Sequence, residues 1–211
     1  MLIHTKPCRT INVIERFSDG MAVALNKGVS FDQSIADLSS ITGITGKELE
    51  QLEANARKFV EASGLGASTA SRAYSILASQ IQVADIGMDG LNNLLNKSIT
   101  LAHASGMSMD ASAEALAATI NQFGLRAEQA DRVINVLSAG SKYGAAEISE
   151  LSQSFKVVGA SASAMGLNVE ETAGTLEVLS KANLKGNEAG TALRNIILKL
   201  NTELITQKST K

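Results

Sequence analysis

Two adjacent acids and a glycine-rich turn are the parts of this sequence whose residue types could carry chemistry. Glu170 and Glu171 are neighbours, and paired carboxylates can work as a general acid and a general base. Residues 183–200 read NLKGNEAGTALRNIILKL, with Lys185 and Arg194 on either side of the glycines. A glycine loop whose backbone N–H groups point at one place can bind phosphate. The sequence therefore raises two hypotheses, acid–base catalysis and phosphate binding.

The pair of acids is explained more simply as the start of a helix. Asn168 precedes Glu170 and Glu171, and an Asn side chain can accept a hydrogen bond from the backbone N–H group three residues further on. Glu171 stands where its carboxylate can return the hydrogen bond, which completes a capping box. Both acids also lie at the positive end of the helix dipole. We therefore predict a structural role for Glu170 and Glu171.

The glycine-rich turn leads into a helix rather than forming a phosphate loop. Asn187 is placed as a helix cap, and Gly190 then falls inside the helix, where glycine costs about 0.5–1 kcal/mol relative to alanine. This cost indicates that a second helix approaches closely at Gly190. Lys185 and Arg194 project from different faces, so they do not converge on one anion. Apolar residues recur at helical spacing at Ala189, Leu193, Ile196, Ile197 and Leu200.

Other catalytic and metal-binding patterns fail on their spacing. The run TGITGKE at 42–48 lacks the first glycine of a Walker loop and has Glu48 where that loop needs Ser or Thr. His4 and His103 belong to no HExxH motif, and Cys8 is the only cysteine, which excludes an internal disulfide. No G-x-S-x-G or S-x-x-K pattern occurs. We predict no catalytic, cofactor-binding or metal-binding residue, and no enzyme activity.

Composition favours a folded helical protein. The chain has 211 residues, of which 45% are hydrophobic and 19% charged, but only 3% are aromatic, with one proline. A core with so few aromatic side chains is filled by small and aliphatic ones, which suits closely packed helices. The net charge of −2 and the lack of a basic cluster predict no specific nucleic-acid binding. No run of about 18 apolar residues occurs, so we predict no membrane span.

The spacing of glycines predicts a series of short helices. Each interval of about 20 residues fits one helix and a turn, and between the glycines apolar residues recur at three and four positions. We predict an all-α fold, an Ala/Gly-rich bundle of short helices and helical hairpins. Its predicted parts are an N-terminal lead-in at 1–29 with a short amphipathic helix from about Ile11 to Lys27, a helical core domain at 30–201, and a polar C-terminal tail at 202–211. The spaced glycines are Gly64, Gly87, Gly106, Gly124, Gly144, Gly166 and Gly186.

A weak internal similarity recurs at an offset of 60 residues. GMSMDASAEAL at 106–116 aligns with GLNVEETAGTL at 166–176, and residues 127–137 parallel residues 187–197 in their apolar positions. Two explanations stay open at this level. One is a true duplication, and the other is convergence of helix starts on one pattern of turn, cap and acid.

The segment at 166–200 resembles the most characteristic part of phage tail tape-measure proteins. That family pairs a Gly-apolar-x-apolar-Glu-Glu-Thr-Ala helix start with a following Lys-Gly-x-x-Ala-Gly-Thr-Ala-Leu-Arg turn and helix. The segments at 31–59 and 121–166 are similar to its opening and middle parts, so the resemblance covers about residues 30–200. The matching signature residues include Gly166, Glu170, Glu171, Thr172, Lys185, Gly186, Ala189, Gly190, Thr191, Ala192, Leu193 and Arg194.

The resemblance implies a structural protein of tail assembly. It implies roles in tail length determination, tail tube assembly and genome ejection, and partners among tail tube subunits, assembly chaperones and tail-tip or baseplate proteins. It also implies association of several copies, no cofactor, and a place in the bacterial host cytoplasm during assembly and in the tail lumen of the virion. Family members are usually longer, with extended helical regions; at about 1.5 Å per residue this core alone is not the ruler. The alternatives are a non-viral helical adaptor module and a small helical enzyme.

Overall fold

The computed structural model describes residues 32, 33, 35–37, 39, 40, 43–64 and 66–209, and these residues form helices and turns without a β-strand. The prediction of an all-α fold is confirmed. The predicted lead-in at 1–29, with its helix at Ile11–Lys27, lies outside the described residues. The helices are α1 (Lys47–Ser63), α2 (Ala67–Gln80), α3 (Val83–Ser105), α4 (Met109–Gln122), a 3₁₀ helix (Ala127–Gln129), α5 (Ala130–Tyr143), α6 (Ile148–Ala164), α7 (Val169–Lys181) and α8 (Gly186–Ser209).

The evenly spaced glycines mark the breaks in this series, as predicted. Six of the seven have a positive φ angle, the exception being Gly144 at −89°. Glycine adopts that conformation without the steric cost that a Cβ atom would impose. Unlike the other glycines, Gly87 does not lie at a break between two helices. It lies within α3, where its φ of 64° kinks the helix without ending it.

The core is built from the small and aliphatic faces that the spacing predicted. On α4, Ala113, Leu116, Ala117 and Ile120 recur at helical spacing and are buried, with Phe123 partly buried; on α7, Val169, Ala173 and Leu176 are buried, with Leu179 partly buried. Aromatic rings contribute little, since Tyr74 and Phe155 are the only aromatic residues among the largest fully buried side chains of the described part. Small side chains let helices pack closely, which agrees with the composition.

The helices recur with a period of 60 residues. Gly46, Gly106 and Gly166 all have positive φ angles and precede α1, α4 and α7. Ser108 and Asn168, also 60 residues apart, cap α4 and α7 by accepting a hydrogen bond from the N–H group three residues later. The helix order therefore divides into a first repeat (α1–α3), a second (α4–α6) and the first two helices of a third (α7 and α8). This agreement favours duplication over convergence.

Helix α8 departs from the sequence prediction at its start and along its apolar stripe. It begins at Gly186, and the N–H groups of Glu188 and Ala189 donate to the Lys185 carbonyl. Asn187 therefore lies in the first turn, and its predicted role as a cap is wrong. Of the predicted apolar stripe, Ala189, Leu193 and Ile197 are buried, but Ile196 and Leu200 are 48% and 52% exposed. The predicted domain boundary at residue 201 falls inside this helix.

Candidate functional site

The signature segment, residues 166–200, forms α7, the following turn and the first half of α8. Gly166 lies in the turn before α7, with a φ angle of 83°. Lys185 and Gly186 lie at the start of α8. Both helices contact α6, and the contact between α6 and α8 is the most extensive between any two helices of the described part. The signature therefore describes a helical hairpin folded onto α6.

The closest approach in this hairpin is at Gly190. A Cβ atom added there would lie 2.7 Å from the Ser154 carbonyl oxygen and 2.9 Å from Val157 Cβ. Carbon atoms do not approach each other or a backbone oxygen so closely without displacement, so a side chain at this position would force α8 away from α6. Gly190 also lies inside a helix, as predicted, and the helix it meets is α6.

Ser154 fixes the start of α8 on the same surface. Its side chain is 1% exposed, and its Oγ donates a hydrogen bond to the Gly186 carbonyl at 2.6 Å, while the Glu150 carbonyl oxygen lies 3.1 Å from the same Oγ. The Gly186 carbonyl, which lies in the first turn of α8 and accepts within that helix, thereby gains a side-chain donor from α6. Gly186 and Gly190 follow one line along α6, next to Ser154 and then Val157, so the two helices run in the same direction.

The two basic residues of the segment do not form an anion site. Lys185 Nζ lies 3.8 Å from the Glu150 carboxylate on α6, whereas Arg194 is exposed further along α8. The structure therefore uses Lys185 in an ion pair between helices. The phosphate-binding hypothesis has no geometric support in the described residues.

The remaining signature residues of α8 divide between its buried and exposed sides. Ala189 and Leu193 are 1% and 3% exposed and lie on the face toward α6 with Gly190. Ala192 is half-buried and Thr191 is exposed, and the Thr191 hydroxyl donates to the carbonyl of Asn187 in the preceding turn. The structure thus brings Gly186, Ala189, Gly190 and Leu193 together and leaves Thr191 and Arg194 apart.

The acid pair begins α7 with the predicted capping box. Asn168 Oδ1 accepts from the Glu171 N–H at 2.8 Å, and Glu171 Oε2 accepts from the Asn168 N–H at 2.9 Å. Thr172 is fully buried, and its hydroxyl donates to the Asn168 carbonyl at 2.8 Å. These bonds occupy the Glu171 carboxylate in a structural role.

Glu170 is held by Arg132 of α5, a partner that sequence reasoning did not find. Arg132 Nε and Nη2 donate to the two carboxylate oxygens at 2.6 and 2.7 Å. These hydrogen bonds lower the pKa of Glu170 and raise that of Arg132. A general acid at neutral pH needs a raised carboxyl pKa, so the shift opposes a role of Glu170 as a general acid. An equivalent pair occurs 60 residues earlier, where Arg72 lies 3.0 Å from Asp110. The 60-residue similarity was therefore the signal in the sequence that relates the two pairs.

The described residues offer little to bind a metal or a small molecule. Among them, no three or more His, Cys, Asp or Glu side chains are grouped so that they could bind a metal ion. None of the described helices combines the length and the hydrophobicity of a membrane-spanning segment. An open cleft of about 460 Å³ lies between the ends of α2 and α4. Its charged lining includes Arg126 and Glu128, which pair with each other at 3.1 Å.

Comparison with known protein families gives a match over most of the chain. A family model described as phage-related minor tail protein matches residues 53–211, which include the whole signature segment. No curated protein and no solved structure matches the chain. The match covers more than two thirds of the sequence, from within α1 through α8.

Proposed function

Because the chain belongs to the phage-related minor tail protein family, and is therefore a structural component of phage tails, we propose more narrowly that it is the core region of a tape-measure protein. In this role the helical core would act in tail length determination, assembly of the tail tube and genome ejection. The observation that supports the proposal is the signature segment, whose Gly186 and Gly190 lie at the tight contact between α6 and α8. Family membership argues against the non-viral adaptor.

The folded shape of the chain indicates which part of that role it has. Helices of 13 to 24 residues turn back on one another here, whereas a molecular ruler needs extended helix at about 1.5 Å per residue. We therefore propose that extended regions of such proteins measure the length, and that this core takes part in length determination by anchoring them. Its surfaces would contact tail tube subunits, assembly chaperones and tail-tip or baseplate proteins, first in the host cytoplasm and then in the tail lumen.

Complementation in a phage or prophage that encodes the chain tests this function. Removing the codons for residues 47–209 should abolish tails or give tails of abnormal length, counted and measured by negative-stain electron microscopy. The wild-type gene should restore normal tails. A Gly190→Leu gene should restore few tails, because the α6–α8 contact is lost, and a Gly174→Leu gene should restore many, because a Cβ at Gly174 meets nothing within 4 Å. Normal numbers of normal-length tails from the deletion would refute the proposal.

A further inference from the structure

We propose that a polar pocket in the first repeat binds a carboxylate group supplied from outside the chain. The pocket has a volume of about 260 Å³ and is lined by side chains of α1, α2 and α3, namely Asn55, Lys58, Tyr74, Asn92 and Asn96. The inference follows from the chemistry of these groups and from comparison with the second repeat, and it does not rest on the proposed function.

The side chains of this pocket range from buried to exposed. Tyr74 is 1% exposed, Asn55 and Asn92 are half-buried, and Lys58 and Asn96 are exposed. All five side chains carry a polar group, and none of them is an acid. The pocket therefore combines one positive charge with amide and hydroxyl groups, and no carboxylate in its lining competes for that charge.

A hydrogen bond between α2 and α3 determines how one of the asparagines can act. The Tyr74 hydroxyl donates to Asn92 Oδ1. Burial raises the pKa of Tyr74 to about 12, so this hydroxyl keeps its proton at neutral pH. Because the amide oxygen of Asn92 accepts this bond, the Nδ2 group is the part of that side chain left to bind a ligand, and it can only donate.

The other polar groups of the pocket are not used in contacts within the described residues. The side chains of Asn55, Lys58 and Asn96 have no hydrogen-bond or ion-pair partner there. The nearest acid before them on α1, Glu53, is paired with Arg57 at 2.7 Å. The Lys58 ammonium and the amide groups are therefore available to a ligand.

The second repeat shows that the fold does not require this set of polar groups. Lys156, the counterpart of Asn96, is paired with Glu114 at 2.9 Å, whereas the counterpart of Glu114 in the first repeat is Ala54. The other counterparts are small or apolar, so equivalent helices pack without the amides and the phenol. The residues 60 positions after the pocket residues are Ala115, Ala118, Ile134, Ser152 and Lys156.

A carboxylate matches the hydrogen-bonding groups of the pocket. Its two oxygen atoms accept hydrogen bonds only, and the Lys58 ammonium and the asparagine Nδ2 groups donate them. A hydrogen bond between a lysine and a carboxylate is charge-assisted and therefore stronger than one between neutral groups. One lysine balances one negative charge, which suits a carboxylate better than a doubly charged phosphate. Because Lys58 is exposed to solvent, we expect weak affinity.

Sodium acetate is the probe for this site. It is titrated into the full chain, labelled with ¹⁵N, at pH 7 and at an ionic strength held constant with sodium chloride. The side-chain NH₂ signals of Asn55, Asn92 and Asn96 should shift and saturate, with a Kd of about 1–10 mM. Acetamide, which has nearly the same shape and no charge, should not shift them at these concentrations. Absence of a saturable shift with acetate, or an equal shift with acetamide, would overturn the proposal.

Two variants test the role of the lysine. Lys58→Gln should weaken acetate binding about three- to tenfold, because it removes the charge that the carboxylate pairs with. Lys199→Gln, which changes an exposed lysine of α8, is the matched control and should bind acetate like the wild type. Thermal unfolding verifies that both variants fold. Equal affinity of Lys58→Gln and the wild type for acetate would contradict the assignment of Lys58 and overturn the proposal.

Two further ligands distinguish the sources of the bound group. The peptide acetyl-Ala-Glu-Ala-amide carries its carboxylate on a side chain, and tighter binding of this peptide than of acetate would support an acidic side chain of a protein as the ligand. Binding of acetate at least as tight would support a free small carboxylic acid. Tighter binding of inorganic phosphate than of either would overturn the assignment of a carboxylate.

Discussion

Replacing Gly190 by alanine should destabilise the protein, although alanine is the better helix former. The structure provides a matched control in Gly174, which also lies inside a helix but whose added Cβ meets nothing within 4 Å. At Gly190 the same Cβ would lie 2.7 Å from the Ser154 carbonyl oxygen and 2.9 Å from Val157 Cβ. The two substitutions change the same atoms, so any difference between them reports the contact with α6.

The expected size follows from two opposed effects. In both variants the alanine stabilises the helix by about 0.5–1 kcal/mol. At Gly190 the backbones must also separate by a few tenths of an ångström, because Ser154 contributes backbone atoms that cannot rotate away. Overpacking of this kind costs about 1–3 kcal/mol. Gly190→Ala should therefore be less stable than Gly174→Ala by about 1–3 kcal/mol.

Thermal unfolding followed by circular dichroism measures this difference. For a chain of this length 1 kcal/mol shifts Tm by about 2–4 °C, so Gly190→Ala should melt about 2–12 °C below Gly174→Ala. Gly174→Ala should melt at or slightly above the wild type. Equal Tm values for the two variants would refute the close-packing account of Gly190.

Three further outcomes follow from single contacts. Ser154→Ala should lower the free energy of unfolding in urea by about 0.5–1.5 kcal/mol, because it removes the buried hydrogen bond from Ser154 to the Gly186 carbonyl; no loss would contradict that role. Asn168→Ala should cost about 1 kcal/mol by removing the cap of α7, whereas Asn168→Asp, which keeps the acceptor, should cost little. The lowered pKa of Glu170 means that its pair with Arg132 stabilises the folded state above about pH 4.5 and loses this effect as the pH falls through the folded-state pKa. The stability difference between wild type and Glu170→Gln in urea should therefore be constant near pH 7 and shrink in acid; a difference that grows in acid would contradict the assignment.

The sequence was sufficient for features that depend on near neighbours along the chain. Helix faces and the Asn168–Glu171 box involve residues three or four apart, and such patterns can be recognised without the fold. The position of Gly190 within a helix followed in the same way. The start of α8 could not be predicted in this way, because it is held by hydrogen bonds to the Lys185 carbonyl and from the Ser154 hydroxyl. Ser154 lies 32 residues before Gly186 in the sequence.

Contacts between distant helices lay beyond sequence reasoning. The Arg132–Glu170 pair joins residues 38 apart, and nothing local to either residue indicates the other. The exposure of Ile196 and Leu200 could not be predicted for the same reason, since their spacing is that of a buried face and exposure depends on which distant helices pack nearby. The 60-residue similarity was the one signal of long range, and it became informative once helix bounds and ion pairs could be compared.

The order of helices has a consequence for how the protein is made on the ribosome. Helix α8 packs over α6, and its buried residues Leu193 and Ile197 are translated after all of α7. At about 5–20 residues per second, the interval between residues 164 and 197 lasts about 2–7 s. For that time after it has left the ribosome, α6 exposes the side that α8 later covers, including the residues around Val157 that contact Gly190. The packing of α6 is therefore complete only after α8 has been synthesised. A chaperone that binds apolar segments could bind α6 during this interval.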